Sequence, residues 1–163
     1  LYLILTPKAK HVAQLFVSAN LRLYGFVKLY YFAAPNYIAN TMLQGSFYTI
    51  KESSGEGNAF KMKIQFNAAH DIFKGHFPEL PVVPGVCQTQ MLVEALQYLL
   101  KRPLNLKVAS HIKFLALLNP VKDNLLDMDI KIDKQEGDSI WVSAAYSSPT
   151  EVFFRFKGEF VNG

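Results

Sequence analysis

The chain has 163 residues, 50% of them hydrophobic and 18% charged, with a formal net charge of +4. That composition suits one domain with a packed core and excludes a disordered chain. The excess positive charge lies in residues 1–41, where Lys8, Lys10, Arg22 and Lys28 meet no acid; the 13 Lys/Arg of residues 42–163 face 13 Asp/Glu, which excludes a basic nucleic-acid surface on the body.

Residues 1–41 differ in texture from the rest, being rich in Tyr, Leu, Phe, Ala and Asn, and the first methionine is Met42. They are read as an N-terminal extension. Three origins stay open: upstream sequence included by a misassigned start, a helical arm carrying Val12, Leu15, Phe16 and Leu23, or an acid-poor targeting segment. The body spans 42–163. Phe60, Met62, Ile64 and Phe66 alternate with polar residues, the mark of a strand with one wet face. Residues 46–52 read as its hairpin partner across a loop at 53–58. Residues 85–101 break the period of two. Pro84 and Pro103 bound a helix there, and its apolar positions nearly encircle it, so it is expected to be buried.

Leu106, Val108, Ile112, Phe114 and Leu118 are expected to share one face of a long strand. Leu126 to Ile132, Ile140 to Tyr146 and Val152 to Phe160 repeat the alternation, with turn residues at 135–138 and 147–150. These last four strands are expected to be antiparallel neighbours. The reading is an α+β fold: a curved antiparallel sheet of about six strands wrapped around one long central helix.

Chemistry concentrates in residues 70–86, HDIFKGHFPELPVVPGV, between a strand and the buried helix. The prolines fix the loop's shape. The loop runs into a helix start at Pro84-Gly85, where free N–H groups carry partial positive charge and a glycine admits close approach of a ligand oxygen. That is an oxyanion-type site. His76 stands nine residues earlier, and an imidazole near such donors suits proton abstraction beside a carbonyl.

The string GHFPELPVVPGV at 75–86 resembles the signature of the β-hydroxyacyl-(acyl carrier protein) dehydratases, a family with the hotdog fold. The resemblance covers about 42–163. It implies that His76 takes the α-proton of a 3-hydroxyacyl thioester. It implies that the N–H of Gly85 or Val86 holds the thioester carbonyl, with Phe77 and Pro84 contacting substrate. An acyl tunnel beside the helix and a site shared across a dimer are also implied. The expected partners are acyl carrier protein bearing a 3-hydroxyacyl chain and a second subunit, in a homodimer, a higher homo-oligomer or a heterodimer. No cofactor, metal, nucleic acid or membrane is expected. Cys87, the lone cysteine, fits a reducing compartment such as the cytoplasm.

One position departs from the family. Fourteen residues after His76, where the family carries Glu or Asp, stands Gln90, and an amide does not titrate. Glu94 follows one turn later on the same helix face. Three readings remain open: His76 shuttles the proton alone while Gln90 orients; Glu94 supplies the acid directly or through water; or the site is impaired and the chain binds acyl groups or serves a partner subunit. Acyl-thioester hydrolysis on the same fold is a further alternative. His70 and His111 are expected to be solvated structural residues, His11 carries no weight, and Cys87 is expected to be a buried small residue. Lys101, Arg102 and Lys107 form a short basic group, read as solvated charge.

Overall fold

A computed structural model describes residues 43–74 and 80–163. In chain order these form β1 (Tyr48–Glu56), β2 (Ala59–Phe66), a 3-10 turn (Asp71–Lys74), α1 (Gly85–Leu100), β3 (Leu104–Phe114), β4 (Leu125–Glu136), β5 (Ser139–Ser147) and β6 (Val152–Asn162). The strands make one six-stranded sheet in the order β1-β2-β4-β5-β6-β3, antiparallel at every step. The alternation that predicted the strands also sets their facing. Met62 and Ile64, Leu126 and Met128, Ile140 and Val142 all point into the core and are at most 2% exposed. Met91, Leu92, Ala95 and Leu96 of α1 are each 0% exposed in the same core, which accounts for a helix apolar on nearly every side. The helix closes at Lys101, which adopts the left-handed conformation (φ 53°) just ahead of Pro103. Among the described residues, no helix is long and apolar enough to cross a membrane.

Three expectations change. The loop expected at 53–58 is mostly strand. Gly57 takes a positive φ of 59°, so a two-residue turn suffices and β1 runs on to Glu56. Gly137, at φ 55°, does the same between β4 and β5. Second, the last four strands are antiparallel neighbours as expected, but not in chain order: β3 lies beside β6 at the sheet edge, and β2 takes the place beside β4. The link at 115–124 is long enough to carry the chain across from one to the other. Third, β3 does not keep one face. Its register against β6 shifts between Leu106 and Val108 and again between Ala109 and His111. Each shift turns the following side chains over. Leu106, Ala109 and Ile112 therefore pack against the core, while Val108 is 48% exposed. The strand ends at Phe114, and Leu118 is buried beyond it.

Candidate active site

The start of α1 is built by the residues before it. Pro84 sits at the N-cap in an extended conformation (φ −60°, ψ 143°) and offers no side-chain cap. The Val83 N–H donates to the Leu118 carbonyl at 2.8 Å, which pins the approach to the helix. The first helical bond runs from the Gln88 N–H to the Pro84 carbonyl at 3.1 Å. Ahead of it, the N–H groups of Gly85, Val86 and Cys87 meet no acceptor among the described residues. Gln88 braces the turn, because its Nε2 donates to the Val83 carbonyl and its own carbonyl accepts from the Tyr146 hydroxyl at 2.9 Å. The bare Cα of Gly85 faces the Phe114 ring, where a Cβ would fall 2.7 Å from a ring carbon. A side chain here would have to push the Phe114 ring aside, so the bare position suits the packing of β3 as well as any ligand. The expectation that His76 and Phe77 stand beside this helix start falls on residues 75–79, outside the described ones.

Glu94 is 2% exposed, and its carboxylate is fully engaged. Oε1 accepts from the Leu43 N–H at 2.9 Å and from Gln90 Nε2 at 3.1 Å. Oε2 accepts from the Gln44 N–H at 2.9 Å and from the Tyr48 hydroxyl at 3.2 Å. Such a set of donors is what a buried carboxylate needs. It fastens the chain entering β1 onto the middle of α1. Gln90 is half-buried one turn before Glu94, and among the described residues its hydrogen bonding runs through Nε2 alone. Burial, with the Glu94 charge second, pushes the Tyr48 hydroxyl well above its ordinary 10.0. Tyr48 was not singled out in the sequence. A Glu in an apolar helix signals that donors must exist, but not which ones.

The remaining candidates separate cleanly. Burial, and then the Glu94 charge, pushes the Cys87 thiol up to about 12, so it is a packing residue and not a nucleophile. His70 is half-buried, not solvated: its ring meets Phe47 edge-on at 5.3 Å, and its Nδ1 accepts from the Ile72 N–H. His111 is exposed, as expected. Lys107 pairs with Glu159 at 2.9 Å and Lys101 caps the Tyr98 ring, so two members of the short basic group are tied to their own surface. Among the described residues, no cluster of His, Cys, Asp or Glu could hold a metal. A groove of about 730 Å3 crosses the sheet over Lys61, Asp129, Arg155 and Lys157 and includes none of the candidate site residues.

Residues with raised acid constants set an alkaline limit. The Cys87 thiol and the Tyr48 and Tyr146 hydroxyls stay protonated in the fold above the pH at which they would ionise in the open chain, ordinarily 9.0 and 10.0. The unfolded chain therefore binds fewer protons there, and stability falls as pH rises. Between pH 7 and 9 the urea midpoint should hold. From pH 9 to 11 it should drop, as the unfolding free energy falls by about 1.4 kcal/mol per pH unit for each group that ionises only in the unfolded chain.

Residues 51–151 match the ApeI-like family, described as ApeI dehydratase. The chain belongs to the ApeI-like dehydratase family. No curated protein matches it. Among solved structures, this ApeI-like chain is similar to the dehydratase heterocomplex ApeI:P from Xenorhabdus doucetiae, at 21% identity and a TM-score of 0.59 over 69% of this chain and 96% of that one. It is similar also to Cj0977, a sigma28-regulated virulence protein of Campylobacter jejuni, at 11% identity and a TM-score of 0.56 over 78% and 91%. The third is the E. coli PaaI protein of the phenylacetic acid degradation operon, at 12% identity and a TM-score of 0.52 over 71% and 79%. At such identities the likeness is one of fold, and that fold is the hotdog, a curved six-stranded antiparallel sheet with one helix.

Proposed function

We propose that this ApeI-like dehydratase removes water from a 3-hydroxyacyl thioester carried on acyl carrier protein, giving the trans-2-enoyl thioester. The observation that carries the reading is membership of a dehydratase family over 51–151. The GHFPELPVVPGV string supports it, as do the N–H groups at the start of α1 that meet no acceptor among the described residues. His76 takes the proton from C2. The N–H of Gly85 or Val86 stabilises the oxyanion that forms on the thioester carbonyl. The electron pair from C2 then closes the C2–C3 double bond as the C3–O bond breaks, and the imidazolium returns the proton to the departing hydroxyl, which leaves as water. Gln90 holds that hydroxyl in place. No oxidant or reductant enters the balance.

A second subunit completes the molecule in this reading. Among the described residues, the outer edge of β3 is unpaired in the sheet, and Val108, Phe114, Leu115 and Leu117 are 48%, 39%, 49% and 63% exposed around it. An open edge flanked by apolar side chains is a template for a further strand. A double variant, Val108→Lys with Leu117→Glu, is expected to convert a dimer to a monomer in light scattering and to remove turnover with it. An unchanged mass would place the interface elsewhere.

Two observations favour the alternative of a subunit that needs a different partner. Gln90 stands where the resembling family has an acid, and the Xenorhabdus relative in fold is a heterocomplex. Hydration of a short trans-2-enoyl thioester by the full chain, followed by loss of the conjugated absorbance, decides between them. Turnover by the parent supports the dehydratase. No turnover in the parent, with activity appearing in Gln90→Glu, supports the partner subunit.

A further inference from the structure

We propose that Glu94 is a positioning residue, one that fixes the amide of Gln90 so that its carbonyl oxygen is the group offered to the substrate hydroxyl. This rests on the dehydratase reading and deepens it. An amide is ambiguous by nature, since its two ends differ only in whether they donate or accept. Glu94 removes the ambiguity. Its Oε1 lies 3.1 Å from Gln90 Nε2, and an acceptor-only carboxylate oxygen admits the NH2 end and repels the carbonyl end. The carboxylate is itself held from three other sides, by the Leu43 and Gln44 N–H groups and by the Tyr48 hydroxyl. Two of those donors are main chain and cannot turn to accept, so the carboxylate cannot rotate away without giving up both of those bonds. Gln90 Oε1 is therefore directed away from Glu94 and stays an acceptor.

The consequence for the reaction is specific. An acceptor at Gln90 takes the O–H of the 3-hydroxyl and leaves the lone pairs of that oxygen for the incoming proton. A donor in the same place would compete with that proton for them. Glu94 also has a plain structural duty, which is to fasten residues 43 and 44 to α1. That duty alone would leave the preference of Gln90 unchanged, and the test turns on this difference.

The probes are two unreactive pantetheine amides of matched length, one with a 3-hydroxyl and one with a 3-fluorine, which accepts but cannot donate. Binding of each to the full chain is measured directly by calorimetry, beside its enoyl hydration activity. The parent is expected to bind the hydroxyl probe about three- to tenfold more tightly, the range for one neutral hydrogen bond. Gln90→Met should bring the ratio near one. Glu94→Gln, which keeps the shape but lets the Gln90 amide face either way, should lower the ratio toward one in protein that melts cooperatively. Glu94→Asp, one methylene shorter, keeps the charge but draws the carboxylate back from Gln90 Nε2, and serves where Glu94→Gln does not fold. A parent ratio of one, or a parental ratio retained in a folded Glu94 variant or in Gln90→Met, overturns the proposal while hydration activity keeps the dehydratase reading intact. A parent that neither turns over nor binds either probe overturns both.

Discussion

His76→Ala is expected to lower enoyl hydration by about 10²–10⁴ while the far-UV spectrum and the urea midpoint stay at parental values. The magnitude is that of a positioned general base or acid. It should stand toward the upper end here, because the proposed scheme asks one imidazole both to take the C2 proton and to return it to the hydroxyl. Gln90 cannot share that work, since an amide has no proton to give at neutral pH. Glu94 is poorly placed to share it: both of its oxygens already accept two hydrogen bonds each. The comparison to make is His76→Ala beside Gln90→Met. If Gln90 only orients, its loss should cost about tenfold, the scale of one hydrogen bond, and the two effects should differ by at least another factor of ten. Equal losses would mean that Gln90 takes part in proton movement through a bound water. Wild-type rates in His76→Ala would remove the base from the scheme altogether.

The parts legible in the sequence were those that a local rule dictates. Pro84 and Pro103 fence the helix because neither position can continue it, and the apolar residues between them surround it because the sheet wraps it. β4, β5 and β6 were readable from strict alternation, with Gly137 supplying the positive φ for the turn. The parts that were not legible depend on the whole molecule. A bulge adds one residue to a strand without any marker, so the two in β3 could not be placed, and Val108 was assigned to the wrong face. The sheet order depends on how the chain wraps the helix, so nothing in residues 115–124 tells that β3 ends beside β6.

The site divides along the same line. The GHFP and PGV residues stand out because their chemistry needs those residue types. Apart from Gln90, the partners of Glu94 do not stand out, because they lie 46 to 51 residues upstream and two of them are main-chain N–H groups, which every residue but proline possesses. The helix start shows a related limit. Gly85 reads as a residue kept bare for a ligand, yet the bare side is occupied by Phe114.

Glu94→Leu is expected to be strongly destabilising, at about 2–5 kcal/mol in urea unfolding. Leucine fits the apolar surroundings and removes a buried charge, which by itself would favour the fold. The loss comes from what stays behind. The Tyr48 hydroxyl, in a residue 1% exposed, keeps no acceptor, and a buried donor without a partner costs about 1–3 kcal/mol. The N–H groups of Leu43 and Gln44 are only part-buried and can turn to water, at the expense of the clasp on residues 43 and 44. Tyr48→Phe in the parent should cost less, about 1 kcal/mol, because the carboxylate keeps three other donors. The double variant Glu94→Leu/Tyr48→Phe separates the contributions. With both polar partners replaced by apolar groups, it should be more stable than Glu94→Leu alone, by about 1–2 kcal/mol. Simple addition of the two single losses would mean that the hydroxyl is satisfied elsewhere. Amide exchange at Leu43 and Gln44 should accelerate in both proteins that lack the carboxylate and stay slow in Tyr48→Phe, since those two N–H groups depend on Glu94 and not on the tyrosine.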